Sequence, residues 1–218
     1  MAEQILIIGL GQFGMTLARN LASKGAEVLA VDRRQPLVQE ASFFVTESLV
    51  VDATNENEMA NLEPARRDAA VCAIGDESRE SAIICTALLR QMGCPLVISR
   101  ANDAVSRRIL SLVGAHQVVN PEEEFGRRFA SRLLYKDVVV DTPLGEDLNL
   151  TEIRVMPEMV GKNLIDLALP KNFGIMVAGI RQSGHIISVD PSRPLQVSDS
   201  LIIVSSDAAL SKLNKKKS

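Results

Sequence analysis

Short runs of apolar residues alternate with longer segments whose apolar positions recur every third or fourth residue, and this rhythm occupies residues 5–135. The runs at 5–8, 26–32, 48–52, 68–75, 95–100 and 117–120 read as strands buried on both faces, as in a parallel sheet. Between them, helical spacing appears at 13–22, around Met59 and Leu62, and at 78–92, 104–113 and 122–135. Thr54 or Asn55 is placed to cap the helix through Met59 and Leu62. Gly114 ends the helix before it, and Pro121 takes the preferred first helical position, with Glu122, Glu123 and Glu124 in the first turn. Strand and helix alternating in this way specify an α/β fold, a Rossmann-like doubly wound parallel sheet. The rhythm breaks after residue 136. A run at 137–141 leads into a turn-rich segment at 142–147 that includes Pro143, Gly145 and Glu146. Strands then follow at 150–155, 175–181 and 201–204, with a short helix near 164–167 and a hairpin turn at 182–185. Two domains are expected: residues 1–136, and a small α+β domain over 137–218, with Lys215, Lys216 and Lys217 as a frayed basic tail, most simply a solvated end.

The first strand runs directly into Gly9, Gly11 and Gly14, spaced G-x-G-x-x-G, and from there into a helix. In that setting Gly9 permits the tight turn, Gly11 lets a phosphate approach bare backbone, and Gly14 lets helix and strand pack closely. The free N–H groups and the positive end of the helix dipole then face one spot, which suits a pyrophosphate. The second strand ends in Asp32, at the distance from the glycines where a carboxylate accepts both ribose hydroxyls. Such a carboxylate repels a 2′-phosphate, whereas Arg33 and Arg34, which follow at once, are what a 2′-phosphate would want. A nucleotide site is expected, with its ligand open.

Composition narrows the function. A net charge of −3, no tryptophan and one tyrosine give neither an electrostatic footprint nor a stacking platform for nucleic acid. No apolar run approaches a membrane span, and the amino terminus lacks the basic start of a signal peptide. Any membrane connection is therefore expected to go through a partner. Cys72, Cys85 and Cys94 lie in apolar surroundings without ligand spacing and read as reduced core residues. A dehydrogenase needs a proton donor or acceptor at the nicotinamide. The two histidines, His116 and His185, read as surface or turn residues, and no nucleophile–base set or paired carboxylates stand out. A nucleotide site without machinery to act on its ligand suggests a sensor, not an enzyme.

Several motifs in order carry a resemblance. They are G-L-G-Q-F-G at 9–14, Val31-Asp32, Val51-Asp52-Ala53-Thr54, Ala73-Ile74-Gly75-Asp76, Arg100-Ala101-Asn102, Val113-Gly114-Ala115 and Asn120-Pro121-Glu122, followed by Gly126. The second domain adds the stretches 161–169 and 174–181, and Val197-Ser198-Asp199. Together these resemble the RCK domain, also called KTN, in particular the soluble regulatory subunits of Ktr and Trk potassium transporters, over essentially the whole chain. The resemblance implies a nucleotide-binding RCK amino-terminal domain and a carboxyl-terminal RCK subdomain.

By that resemblance, Gly9, Gly11 and Gly14 hold phosphates, with Gln12 and Phe13 in the same loop, and Asp32 holds the ribose with Arg33 beside it. Asp52, Ala53 and Thr54 border the adenine, Ala73, Ile74 and Gly75 form its apolar wall, and Arg100 faces the terminal phosphates. Glu122 matches a family acid that helps bind magnesium, calcium or sodium beside the phosphates, or else is a helix-start carboxylate. ATP or ADP is the implied ligand. Relatives that discriminate the two often carry arginine where this chain has Gln12, a neutral amide, so ADP and NAD or NADH stay in contention. Asn172, Phe173 and Ile175 are placed to contribute to a cyclic di-AMP site in the second domain. The implied partners are a membrane-embedded potassium transporter subunit and further copies of the chain, paired through the helix at 122–135 into a ring of eight. That helix carries Phe125, Phe129, Leu133 and Leu134 as an apolar stripe. The implied location is cytoplasmic, at the inner face of the membrane. The alternatives are a small NAD-dependent oxidoreductase, or a redox sensor unrelated to potassium transport.

Overall fold

Residues 2–145 and 147–215 are described by the computed structural model. Glu146, Lys216 and Lys217 lie outside the described residues, as do the side chains of Asp76 and Lys215. The chain divides into two units, residues 1–123 and 124–218.

In the first unit, β1 (Gln4–Ile8), α1 (Gln12–Ser23), β2 (Glu27–Asp32), α2 (Gln35–Ala41), β3 (Glu47–Val50) and α3 (Glu56–Ala60) come first. They are followed by β4 (Ala69–Cys72), α4 (Arg79–Gln91), β5 (Val97–Arg100), α5 (Ala104–Leu112) and β6 (Gln117–Val119). All six strands are parallel, in the order β3-β2-β1-β4-β5-β6. That order is the doubly wound arrangement expected from the alternation. Each central strand is buried on both faces because its alternate residues feed two separate cores. Leu6, Ile8, Leu29, Val31, Ala70 and Cys72 pack with Met59, Cys85 and Leu89 on one side. Ile7, Val28, Ala30 and Val71 pack with Ala18, Val38 and Ala41 on the other.

Asn55, and not Thr54, caps α3: its side chain accepts from the backbone N–H groups of Asn57 and Glu58. Replacing Asn55 by alanine is expected to cost about 1 kcal/mol, read as a lower midpoint in chemical denaturation with an unchanged slope.

The helix α6 (Pro121–Leu134) spans the division between the units and buries none of its residues. The division at Glu123 therefore precedes the 136/137 boundary expected from composition, because the rhythm of α6 continues the first unit's pattern while its side chains join no core there. Asn120 closes its start, accepting from the Glu123 N–H at 3.0 Å.

The second unit continues with β7 (Val138–Pro143), β8 (Asn149–Arg154), α7 (Leu164–Leu167), α8 (Leu169–Phe173), β9 (Met176–Gln182), β10 (His185–Ile187), β11 (Ser200–Ser205) and α9 (Asp207–Lys215). Its five strands form an antiparallel sheet in the order β10-β9-β11-β8-β7. Ile153, Ile180, Leu201 and Ile203 from that sheet pack with Met156, Leu169, Ile175, Leu210 and Leu213. Two expectations change here. Ile175, placed in a ligand patch by resemblance, is fully buried and belongs to this core. Lys215 ends α9 instead of starting a frayed tail.

Candidate functional site

A cleft opens at the carboxyl ends of β1, β2 and β4, where the strand order reverses between β1 and β4. In open α/β sheets this switch point is where ligands bind. Of the residues predicted from sequence, Gly9, Gly11, Asp32, Arg33, Asp52, Ala53, Thr54, Ala73, Ile74, Gly75 and Arg100 all line it. Arg34, which sequence offered only as a residue suited to a 2′-phosphate, lines it as well, together with Val31, Val51 and Cys85; Glu77, Ser78 and Ser81 line it without having been given a site role.

The turn that starts the cleft is made by β1 running straight into α1. Gly9 adopts φ +93°, and its N–H donates to the Val31 carbonyl at 2.8 Å, which ties the turn to β2. Gly11 is the residue before α1 and has no side chain with which to cap it. The N–H groups of the first helical turn are left for a ligand. A Cβ built on Gly11 meets nothing within 4 Å, so bare backbone faces open space there.

Asp32 ends β2 and is 7% exposed. Its Oδ2 accepts from the buried Leu10 N–H at 2.7 Å, and its Oδ1 from the Arg34 N–H at 2.9 Å. The Arg34 guanidinium adds bonds to both oxygens. Burial alone would push this carboxyl up. The Arg34 guanidinium and the two backbone donors outweigh burial and hold it below the usual carboxylate range. Because the folded value lies below the unfolded one, the stabilisation is complete above about pH 4 and is lost as pH falls through the folded value. Denaturation midpoints should therefore drop on acidification below about pH 4, and the drop should be smaller in Asp32→Asn.

The loop after β3 holds itself together. Asp52 Oδ1 accepts from both the Thr54 N–H at 3.0 Å and the Thr54 hydroxyl at 2.7 Å, and these bonds lower its pKa. The Asp52 N–H donates to Glu58 in α3 at 2.8 Å. Beneath the loop, the Cys85 thiol donates to the Ala53 carbonyl at 3.3 Å. Cys72, Cys85 and Cys94 are all buried thiols, as expected.

Arg100, at the end of β5, has its guanidinium carbon 5.9 Å from the centre of the Phe13 ring and pairs with Glu122. Its Nε is buried without a partner among the described residues. Arg33, Arg34 and Arg100 thus bring positive charge to a cleft that also holds Asp32, Asp52 and Glu77.

Four predicted residues fall outside the cleft lining. Gln12, in the first turn of α1, lines a different hollow with Leu10, Thr16 and Arg19. Phe13 is half-buried, packed against the core between sheet and helices with its ring beside Arg100. Gly14 is buried against Gly9 and Ala73. Glu122 reaches the cleft only through Arg100. Among the described residues, no group of three or more histidine, cysteine, aspartate or glutamate side chains gathers as a metal centre. His116 accepts the Val97 N–H on Nδ1 at 2.8 Å, a structural bond between β5 and the connection from α5 to β6. His185 is exposed at the start of β10.

The TrkA-N domain family matches residues 5–121 and the TrkA-C domain family matches residues 150–218. The chain is 36% identical over 203 residues to the Ktr system potassium uptake protein A of Vibrio alginolyticus, covering 93% of this chain and 92% of that one. It is 28% identical over 218 residues to the Ktr system potassium uptake protein C of Bacillus subtilis (strain 168), covering 99% and 98%. Among solved structures, the GsuK channel bound to NAD superposes with a TM-score of 0.65 at 17% identity, covering 98% of this chain. The GsuK RCK domain superposes with a TM-score of 0.65 at 18% identity, covering 99%. This chain spans 39% of the first of those chains and 47% of the second, and at such identities the likeness shows a common fold. With both halves matched in order, the chain belongs to the TrkA family, a TrkA-N domain followed by a TrkA-C domain.

Proposed function

We propose that this protein is the nucleotide-binding regulatory subunit of a potassium uptake transporter. The observation that carries the reading is the cleft at the switch point: open backbone at Gly11, a charged Asp32 and Arg100 meet in one place. The relatives named as potassium uptake proteins supply the physiological setting. Phosphates would lie against Gly9, Gly11 and the first turn of α1, within reach of Arg100. The ribose would bond Asp32, and the base would rest on Ala53, Ala73 and Ile74. ADP or ATP is the ligand proposed, with NAD or NADH next; GsuK has been solved bound to NAD and to ADP.

Regulation, not catalysis, is the role proposed. Among the described residues neither histidine lines the cleft. Self-association is part of the reading. Phe125 and Phe129 stack with ring centroids 5.6 Å apart on α6, and with Leu133 and Leu134 they are exposed. An apolar stripe on a helix that buries nothing suits pairing with a second copy. Among the described residues no helix is long and apolar enough to cross a membrane, so contact with the bilayer would go through the transporter subunit, at the cytoplasmic face. Glu122, the partner of Arg100, is the acid proposed to help hold a cation at the phosphates once released from that pair.

A ligand moves a gate only by binding its two shapes unequally. The test is potassium flux into vesicles carrying the membrane subunit and this protein, with ADP, ATP or NAD added. Flux that changes with the nucleotide, and stops changing in Asp32→Asn, is the expected result. Flux indifferent to every nucleotide would refute a gating role.

A further inference from the structure

Asp32 has its acceptor sites filled from within the chain. Oδ1 accepts from the Arg34 N–H at 2.9 Å and from Arg34 Nε at 3.1 Å. Oδ2 accepts from the Leu10 N–H at 2.7 Å and from Arg34 Nη2 at 3.2 Å. Two carboxylate oxygens offer about four lone-pair sites, so a ribose diol needs two that the guanidinium already holds. The four donors differ in what it takes to remove them. Leu10 is 1% exposed and its N–H is fixed by the turn after β1; the Arg34 N–H is fixed by the turn into α2. The guanidinium rides on a flexible stem, and its side chain is 56% exposed.

We propose that the Arg34 guanidinium competes with the ribose hydroxyls for Asp32, so that Arg34 sets the nucleotide affinity of the cleft and its demand for a free 2′,3′-diol. This rests on the reading of the cleft as a nucleotide site. Both hydroxyls are needed to replace both guanidinium bonds; a 2′-deoxy ligand replaces one and leaves part of the competition in place. The displaced arginine has a second carboxylate at hand, because Glu77 lines the same cleft and stands over Gly75. Arg33 lines the cleft too, but the ion pair with Asp32 is made by Arg34. The neighbour that sequence offers as a 2′-phosphate receptor is, in this geometry, an internal stand-in for the ribose.

The test is calorimetric titration of the full chain with ADP, 2′-deoxy-ADP and adenosine 2′,5′-bisphosphate, using wild type, Arg34→Ala, Arg34→Lys, Asp32→Asn and the Arg34→Ala/Asp32→Asn double variant. Arg34→Ala removes an exposed side chain and leaves Asp32 its two backbone donors, so the first unit still folds, at some loss of stability that a denaturation midpoint on the same preparation records. It should bind ADP about three- to tenfold more tightly, with a smaller gain for 2′-deoxy-ADP. Arg34→Lys, which lacks the planar fork, should fall between. In the Asp32→Asn background, Arg34→Ala should change nothing, since the competition needs the carboxylate. ADP binding that is unchanged or weaker in Arg34→Ala overturns the proposal. So does tighter wild-type binding of the 2′,5′-bisphosphate than of ADP that is lost in Arg34→Ala, which would make Arg34 a phosphate receptor. If ADP binds neither wild type nor Arg34→Ala, the nucleotide reading fails and this inference with it.

Discussion

Gly14→Ala is expected to destabilise the first unit by roughly 3 kcal/mol, although alanine is the better helix former by about 1 kcal/mol. The packing decides against propensity. A Cβ at Gly14 would run into the Gly9 carbonyl oxygen, with the Gly9 carbonyl carbon at 3.0 Å and the Ala73 Cβ at 3.2 Å. The clashing atoms are backbone, and the Gly9 segment is itself tied to β2 through the Val31 carbonyl. Neither side can swing away as a flexible side chain would. The first unit's thermal transition should fall by roughly 10 °C. A melting temperature within two or three degrees of wild type would show that α1 and the turn after β1 do not pack as described.

Gly11→Ala should do the reverse: leave the fold and remove the ligand. Gly11 has φ −64° and ψ −176°, extended backbone open to any residue, and its Cβ would touch no protein atom. The stability cost should stay within about 1 kcal/mol, the usual range for a capping change. The added methyl would stand where a phosphate must approach the N–H groups of α1. Nucleotide affinity should fall by about ten- to a hundredfold, the loss of one or two charge-assisted bonds. Circular dichroism and calorimetric titration on the same preparation separate the two effects. Wild-type affinity in a folded Gly11→Ala protein would place the phosphates elsewhere.

The sheet was legible because the central parallel strands must be apolar on both faces, and six strand-like runs leave few orders open once the crossovers are right-handed. The backbone parts of the site were legible for the same reason. Gly9, Gly11, Asp32 and Gly75 sit at strand ends, and strand ends converge at the switch point. What sequence could not convey was the direction of side chains on helices. Gln12 and Phe13 follow Gly11 directly, yet each helical residue turns about 100° from the last, which sends Gln12 to another hollow and Phe13 against the edge of the core. Glu122 likewise depends on which way Arg100 reaches. The role of Arg34 becomes visible only with the hydrogen bonds around Asp32 drawn in. In the second unit, α8 and α9 were not anticipated. The first is five residues long with a proline at its start, and the second has only Ala209, Leu210 and Leu213 to mark its buried side.

The measurement that bears most directly on the nucleotide reading is titration of nucleotide-stripped protein with ATP, ADP, NAD and NADH, wild type beside Asp32→Asn. Asparagine keeps the shape of the carboxylate and removes its charge, so the fold persists while the ribose loses its strongest partner. Saturable binding of at least one adenine nucleotide, weakened about ten- to a hundredfold in Asp32→Asn, is the expected result. Binding of equal strength in the two proteins, or no binding of any of the four, would contradict a nucleotide site at Asp32.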